Sequence, residues 1–139
     1  MNTISTIEDK LIAVIKNTGL FKLVDSLGRK TRPEVINYPA AFVYFASDRD
    51  TGTKPRPVIE LIYEIEINNK NVQSEAKAAK DTYGLLDGAR DAINFKSLGI
   101  ADVEPFTCIS RNIKDYKDGI ITYILQFKTR HFLPVPVDN

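Results

Sequence analysis

An α+β fold is what this sequence predicts: a curved, mostly antiparallel (mixed) sheet with two helices packed on one face. Three observations predict it. Two segments, beginning near Ile4 and near Ser74, carry apolar residues at spacings of three and four, the period of an amphipathic helix. Two others, Val58–Ile67 and Ile120–Arg130, alternate apolar and polar residues, the sign of strands with one face on a core. The 139 residues are 43% hydrophobic and 27% charged, the balance of a globular domain of usual size. Residues 1–139 are therefore expected to form a single domain, with 131–139 as an extended C-terminal tail.

The first helix places Ile4, Ile7, Leu11, Val14 and Ile15 in one stripe. Ser5 followed by Glu8 is a capping-box pattern, and Gly19 suits the left-handed position that ends a helix. Leu20–Gly28 fits a helical turn and a strand row; the chain break at Gly19 favours the strand. Arg29–Pro39 reads as a polar loop, because Pro33 and Pro39 oppose helix. Ala40–Ala46 is an aromatic and β-branched run, hence a strand, and Ser47–Pro57 is a charged, glycine- and proline-containing loop.

Val58–Ile67 is the clearest strand. Ile59, Leu61, Tyr63, Ile65 and Ile67 share a face; Glu60, Glu64 and Glu66 share the other with Ile62 and read as a solvent-facing row. The second helix is expected from about Ser74 to Asn94, capped by Ser74, with its stripe on Ala76, Ala79, Tyr83, Leu86, Ala89 or Arg90, and Ile93. Gly84 and Gly88 let another backbone come close, most naturally the sheet. Val103–Ile113 and Ile120–Arg130 then form a hairpin whose connector ends in Asp118-Gly119, a favoured turn dipeptide. The tail HFLPVPVDN holds two prolines that oppose regular pairing, yet Phe132, Leu133, Val135 and Val137 are apolar.

Chemistry-bearing patterns are few. Net charge is +1, from 19 basic and 18 acidic residues without a polybasic run, so no broad cationic field supports nucleic-acid or membrane binding. The start MNTISTIEDK does not read as a signal peptide, and no stretch approaches the ~20 apolar residues of a membrane span. Cys108, the only cysteine, fits a reducing compartment and a strand interior. With His131 as the only histidine, no nucleophile–base pair is evident. Asp48 and Asp50 begin a calcium-loop pattern that the following residues do not continue. Glu64 and Glu66 share a face, and Lys128 and Arg130 can screen them if their strands are neighbours.

The capped helix running into LFKLVDSL, the segment NYPAAFVYF, the strand VIELIYEIEI, the helix AAKDTYGLLDGARDAI and the hairpin KDGIITYILQFKTR together resemble the tail-terminator (tail-completion) proteins of long-tailed phages, in particular the small Mu-like prophage family. The resemblance spans roughly Ile4 to Arg130. It implies a structural virion protein with no catalytic residues and no cofactor. It implies a hexameric ring of identical subunits that caps the tail tube, ends its polymerisation and offers a head-attachment surface. The implied partners are further copies of the chain, the tail tube protein and a head-completion or neck protein, with neither specific nucleic-acid recognition nor a membrane. The implied location is the virion tail, assembled in the bacterial host cytoplasm. Contacts are expected on Arg29, Lys30 and Arg32, on Arg49, Lys54 and Arg56, and on Leu133, Val135 and Val137, because charged loops on a rigid sheet commonly carry binding. Ile62, Ile120 and Ile124, apolar residues within polar rows, are further candidate patches, since a cyclic ring needs two different complementary surfaces on each subunit. A neck or head-completion protein is the alternative, and a small-molecule-binding α+β domain a more distant one.

Overall fold

The computed structural model describes residues 3–26, 36–51 and 57–133. Helix α1 (Thr3–Asn17) is followed by β1 (Leu23–Ser26), β2 (Ala40–Asp50) and β3 (Val58–Lys70), then by helix α2 (Glu75–Ile93) and the strands β4 (Thr107–Lys117) and β5 (Ile120–Phe132). The five strands form one open sheet in the order β1-β2-β3-β5-β4. Only β1 runs parallel to its neighbour; the other three pairings are antiparallel. The predicted mixed α+β architecture is the observed one.

Period-two alternation puts Leu61, Tyr63, Ile65 and Ile67 of β3 on the same face as Leu125 and Phe127 of β5, and both helices pack there. Helix α1 contributes Ile7, Leu11 and Ile15; α2 contributes Ala78, Leu86, Ala89 and Ile93; all are buried in the same cluster. Tyr63 is fully buried, and its hydroxyl donates to the Ile4 carbonyl at 2.9 Å, which fixes the first turn of α1 against the sheet. The burial raises its pKa well above the ordinary tyrosine value, with the Glu8 charge adding to it.

Several local expectations hold. Gly19, at φ +69°, follows α1. Ser74 caps α2, its side chain accepting from the Lys77 amide at 3.1 Å. Asp118 and Gly119 form the two-residue β4–β5 turn, both at positive φ (54° and 76°), as a type I′ turn requires. The peptide bond between Tyr38 and Pro39 is cis.

Others are corrected. Ser5 is an interior residue of α1, which already begins at Thr3, so it is not the cap. Strand β2 runs on to Asp50: after a register shift between Phe45 and Ser47, Ser47–Asp50, read as loop, pair with Ile59–Ile62 of β3, and this pairing overrides the weak strand propensity of serine and aspartate. Strand β3 likewise continues to Lys70. Strand β4 begins at Thr107 and ends at Lys117, four residues later than the hydrophobic pattern indicates. The buried stripe of α2 is Ala78, Thr82, Leu86, Ala89 and Ile93; Ala76 is exposed and Tyr83 half-exposed. Thr82 can sit inside because its hydroxyl donates to the Ala78 carbonyl (2.7 Å) and accepts from Asn69 Nδ2 (3.2 Å). The space beside Gly88 is filled by Leu20, from the segment after α1, and not by the sheet.

Candidate protein interface

The two faces and the two edges of the sheet offer different chemistry. On the face away from the helices, the glutamates of β3 are not the solvated row that alternation alone implies. Glu66 is only 3% exposed, lies beside Phe42 of β2 and Ile124 of β5, and pairs with Lys114 at 3.5 Å. Glu64 accepts from the Tyr44 hydroxyl (2.6 Å) and from Gln126 Nε2 (2.9 Å). Burial, aided by Glu64, pushes the Tyr44 pKa well above the ordinary tyrosine range, so this hydroxyl keeps its proton. Glu60 pairs with Arg49 at 3.5 Å. Strands β3 and β5 are indeed neighbours, but Arg130 makes its bidentate pair with Glu104, at 3.0 and 3.2 Å, across the sheet end. Each carboxylate thus has its own partner, which is the arrangement of a cross-strand network.

A cleft of about 320 Å³ lies at one end of this face, lined by Tyr38, Glu66, Asn68, Lys114 and Thr122. Thr122 donates to Asn68 Oδ1 at 2.7 Å, while the buried Asn68 Nδ2 has no hydrogen-bond partner. The cleft joins Glu66 to a lysine but does not include Glu64, and Tyr63 points to the opposite face. Among the described residues no group of three or more His, Cys, Asp or Glu side chains is arranged to hold a metal ion, and Asp48 and Asp50 are strand residues. Cys108 sits opposite Phe127, and His131 lies four residues further along β5, about 13 Å away. Burial raises the Cys108 thiol pKa, which keeps the sulfur protonated. No helix of the described chain is long and apolar enough to cross a membrane.

The β4 edge is built differently. Six large hydrophobic residues are exposed among the described ones: Leu20, Val72, Tyr83, Phe95, Ile109 and Ile113; the last four border β4 and the adjoining side of α2. Phe95 is the most exposed, at 75%, and adopts φ +63°, a conformation that a bulky residue rarely takes. It is pinned by its amide, which donates to the Phe106 carbonyl at 2.7 Å, and by Asn94 beside it, whose Oδ1 accepts from the Cys108 amide at 2.9 Å. An open groove of about 620 Å³ runs between Phe95, Ile109, Arg90 and Arg111. A second, of about 480 Å³, continues past Arg111 to Tyr83 and Tyr123. Arg111 stands between them, tied to Asp87 of α2 at 2.7 Å. Arg90 pairs with Asp91 at 3.2 Å, so exposed apolar side chains stand here among fixed ion pairs, a mixture that protein-binding surfaces share.

Among the described residues no strand pairs with the outer side of this edge. Leu133 donates its amide to Pro57, on the β3 side of β5, whereas Phe132 donates to Asp102 and the Arg130 carbonyl accepts from Glu104, on the β4 side. Odd-numbered residues of β5 therefore bond toward β3 and even-numbered ones toward β4, and no register shift interrupts this along β3–β5. Residues of β4 opposite even positions, Ser110 (Gln126) and Asn112 (Ile124), spend their main-chain groups on β5. Arg111 (opposite Leu125) and Ile113 (opposite Tyr123) turn theirs away from β5. The other sheet edge, β1, is only four residues long.

Of the residues expected to make contacts, Arg49 lies at the end of β2 with its side chain 75% exposed, and Leu133 is half-buried where β5 ends. Arg29, Lys30, Arg32, Lys54, Arg56, Val135 and Val137 lie outside the described residues. Ile62, Ile120 and Ile124 are half-buried on the outer face. The β4–α2 strip was not among the expected sites. Its signal in the sequence is the pair Ile109 and Ile113 in a strand that is otherwise polar, together with Phe95 just beyond the end of α2.

No family model and no curated protein matches this chain. Among solved structures it is similar to a chain of the virion of a native gene transfer agent (GTA) particle. That similarity has a TM-score of 0.61 at 11% sequence identity, over 96% of this chain and 100% of that one. At this identity the likeness shows a shared fold over nearly the whole of both chains.

Proposed function

We propose that this protein is a structural component of a phage or phage-like virion and acts by assembling with other protein chains. Within that role we favour a tail terminator: a ring of identical subunits, most simply a hexamer, that caps the tail tube, stops its growth and offers the surface to which a head-completion or neck protein attaches. The observation that carries the reading is the full-length fold likeness to a chain of a virion particle. The apolar strip along β4 supports it, because a ring subunit must keep an apolar surface in reserve for its neighbour. In this reading the work is done by surfaces and not by catalysis, the protein needs no cofactor, and its place is the virion tail after assembly in the host cytoplasm. Arg49 and the basic residues Arg29, Lys30, Arg32, Lys54 and Arg56 are then available for tube or head contacts.

Light scattering and negative-stain microscopy of the purified protein, alone and mixed with tail tubes, test this. Rings in solution, or rings seated on tube ends, are the expected result. A protein that binds filled heads and ignores tubes is a neck component instead. One that binds neither is not a completion protein.

A further inference from the structure

We propose that the step from Asp118 to Gly119 is a site of spontaneous isoaspartate formation in the folded chain, and that the same dipeptide at Asp87-Gly88 is protected by its place in α2. The inference concerns a covalent change and stands apart from the assembly reading.

The chemistry belongs to the Asp-Gly step. The main-chain nitrogen after an aspartate can attack the carboxyl carbon of its side chain, Cγ. A bond forms between nitrogen and Cγ, the carboxyl hydroxyl and the amide proton leave together as water, and a five-membered succinimide ring remains. Water then adds to one of the two ring carbonyls. Breaking the bond from nitrogen to Cγ restores aspartate. Breaking the bond from nitrogen to the main-chain carbon leaves isoaspartate, whose backbone runs through Cβ and Cγ. Nothing is oxidised or reduced, and water is the only co-reactant. Glycine favours the attack, because no Cβ shields its nitrogen and its backbone turns freely. The sequence holds this dipeptide at Asp87-Gly88 and at Asp118-Gly119.

The fold treats the two steps differently. Asp118 is exposed at the tip of the β4–β5 hairpin, and among the described residues its carboxylate has no ion pair or hydrogen bond. Among the same residues neither the Asp118 carbonyl nor the Gly119 amide enters a main-chain hydrogen bond, as the two-residue turn allows. The peptide plane between them can therefore rotate to bring nitrogen toward Cγ without breaking such a bond. At Asp87-Gly88 the plane lies inside α2. There the Gly88 amide donates to the Gly84 carbonyl and the Asp87 carbonyl accepts from the Asp91 amide, as helix geometry requires. The Asp87 carboxylate is also held by Arg111 at 2.7 Å, and Leu20 packs against Gly88. Ring closure at this position requires the helix to open first.

The product changes the hairpin. An isoaspartate at position 118 lengthens the main chain of a two-residue turn by one carbon. The turn is closed by the pairing of Lys117 with Ile120, and it is tied to the end of β3 by the Gly119 carbonyl, which accepts from the Asn71 amide at 2.8 Å. A longer backbone does not span the same two anchors in the same conformation, so the modified chain loosens the tip of the hairpin and its contact with Val72.

The purified full-length chain, held in warm neutral buffer and sampled over time, tests this by peptide mapping with mass spectrometry and by enzymatic methylation of isoaspartate. In the folded chain isoaspartate is expected to accumulate at 118 at least about tenfold faster than at 87, because the helical step waits on local opening. In denaturing urea the two rates are expected to come within about twofold of each other, since the fold then protects neither. Asp118→Asn gives a second reading. Asn-Gly suits the same turn, and its ring closes with loss of ammonia, so each event leaves a mass gain of about one dalton. That chain is expected to gain mass at position 118 while folded. A folded chain in which isoaspartate at 118 rises no faster than at 87 would overturn the proposal, as would an Asp118→Asn chain whose mass stays constant until urea is added. Neither result depends on whether the protein forms rings, so the assembly reading is tested separately.

Discussion

Strands β3 and β5 pair over thirteen residues without a register shift, while β4, on the other side of β5, shifts register twice in eleven residues. The first pair has helices over one face and partnered polar groups on the other, and most of its side chains are buried or half-buried. The outer strand is mostly exposed. What differs is cover. Helix α2 packs over β3 and β5 and reaches β4 chiefly through the Asp87–Arg111 ion pair and the Asn94 side chain. The lesson is that one sheet can hold two kinds of strand: a paired centre that carries stability, and an edge that, among the described residues, leaves apolar side chains exposed.

Four substitutions break or sharpen this contrast, measured as urea unfolding of the isolated chain by circular dichroism. Leu125→Ala, in the fully buried centre of β5, is expected to cost the most, about 2–5 kcal/mol, as the transfer term and the cavity add. Gly119→Ala comes next, at about 1–2 kcal/mol, because a Cβ there meets both a φ of +76° and Val72 Cγ1 at 2.6 Å. Ser74→Ala removes the cap of α2 and is expected to cost about 1 kcal/mol. Ile113→Ser, at the edge, is expected to change folding stability by no more than about 0.5 kcal/mol. If Ile113→Ser proved as costly as Leu125→Ala, the edge would be part of the folding core and the contrast would fail.

How much of this was legible beforehand follows the same line. The centre could be read because its residues obey one period: Ile59 to Ile67 alternate, and the alternation is what the helices bury. The Asp118-Gly119 turn was legible because only residues that tolerate positive φ fit it. Ser47–Asp50 was not, since its strand is imposed by a partner and not by its own residues. The start of the α2 stripe was misplaced by one or two residues, Ala76 and Tyr83 standing where Ala78 and Thr82 are buried, because Thr82 is polar in sequence and satisfied in place, while Tyr83 looks like a core residue and faces out. The β4 strip stayed hidden for a related reason. Two isoleucines four apart say nothing about solvent until the strand order makes β4 the edge.

The two irregularities of β4 have a consequence for self-association. A long, flat, uncovered strand with isoleucines is a template on which chains can stack without limit into fibres. Kinks at each end of a four-residue stretch leave too short a ruler for such growth. An edge broken in this way is a poorer template for stacking than an unbroken strand of the same composition.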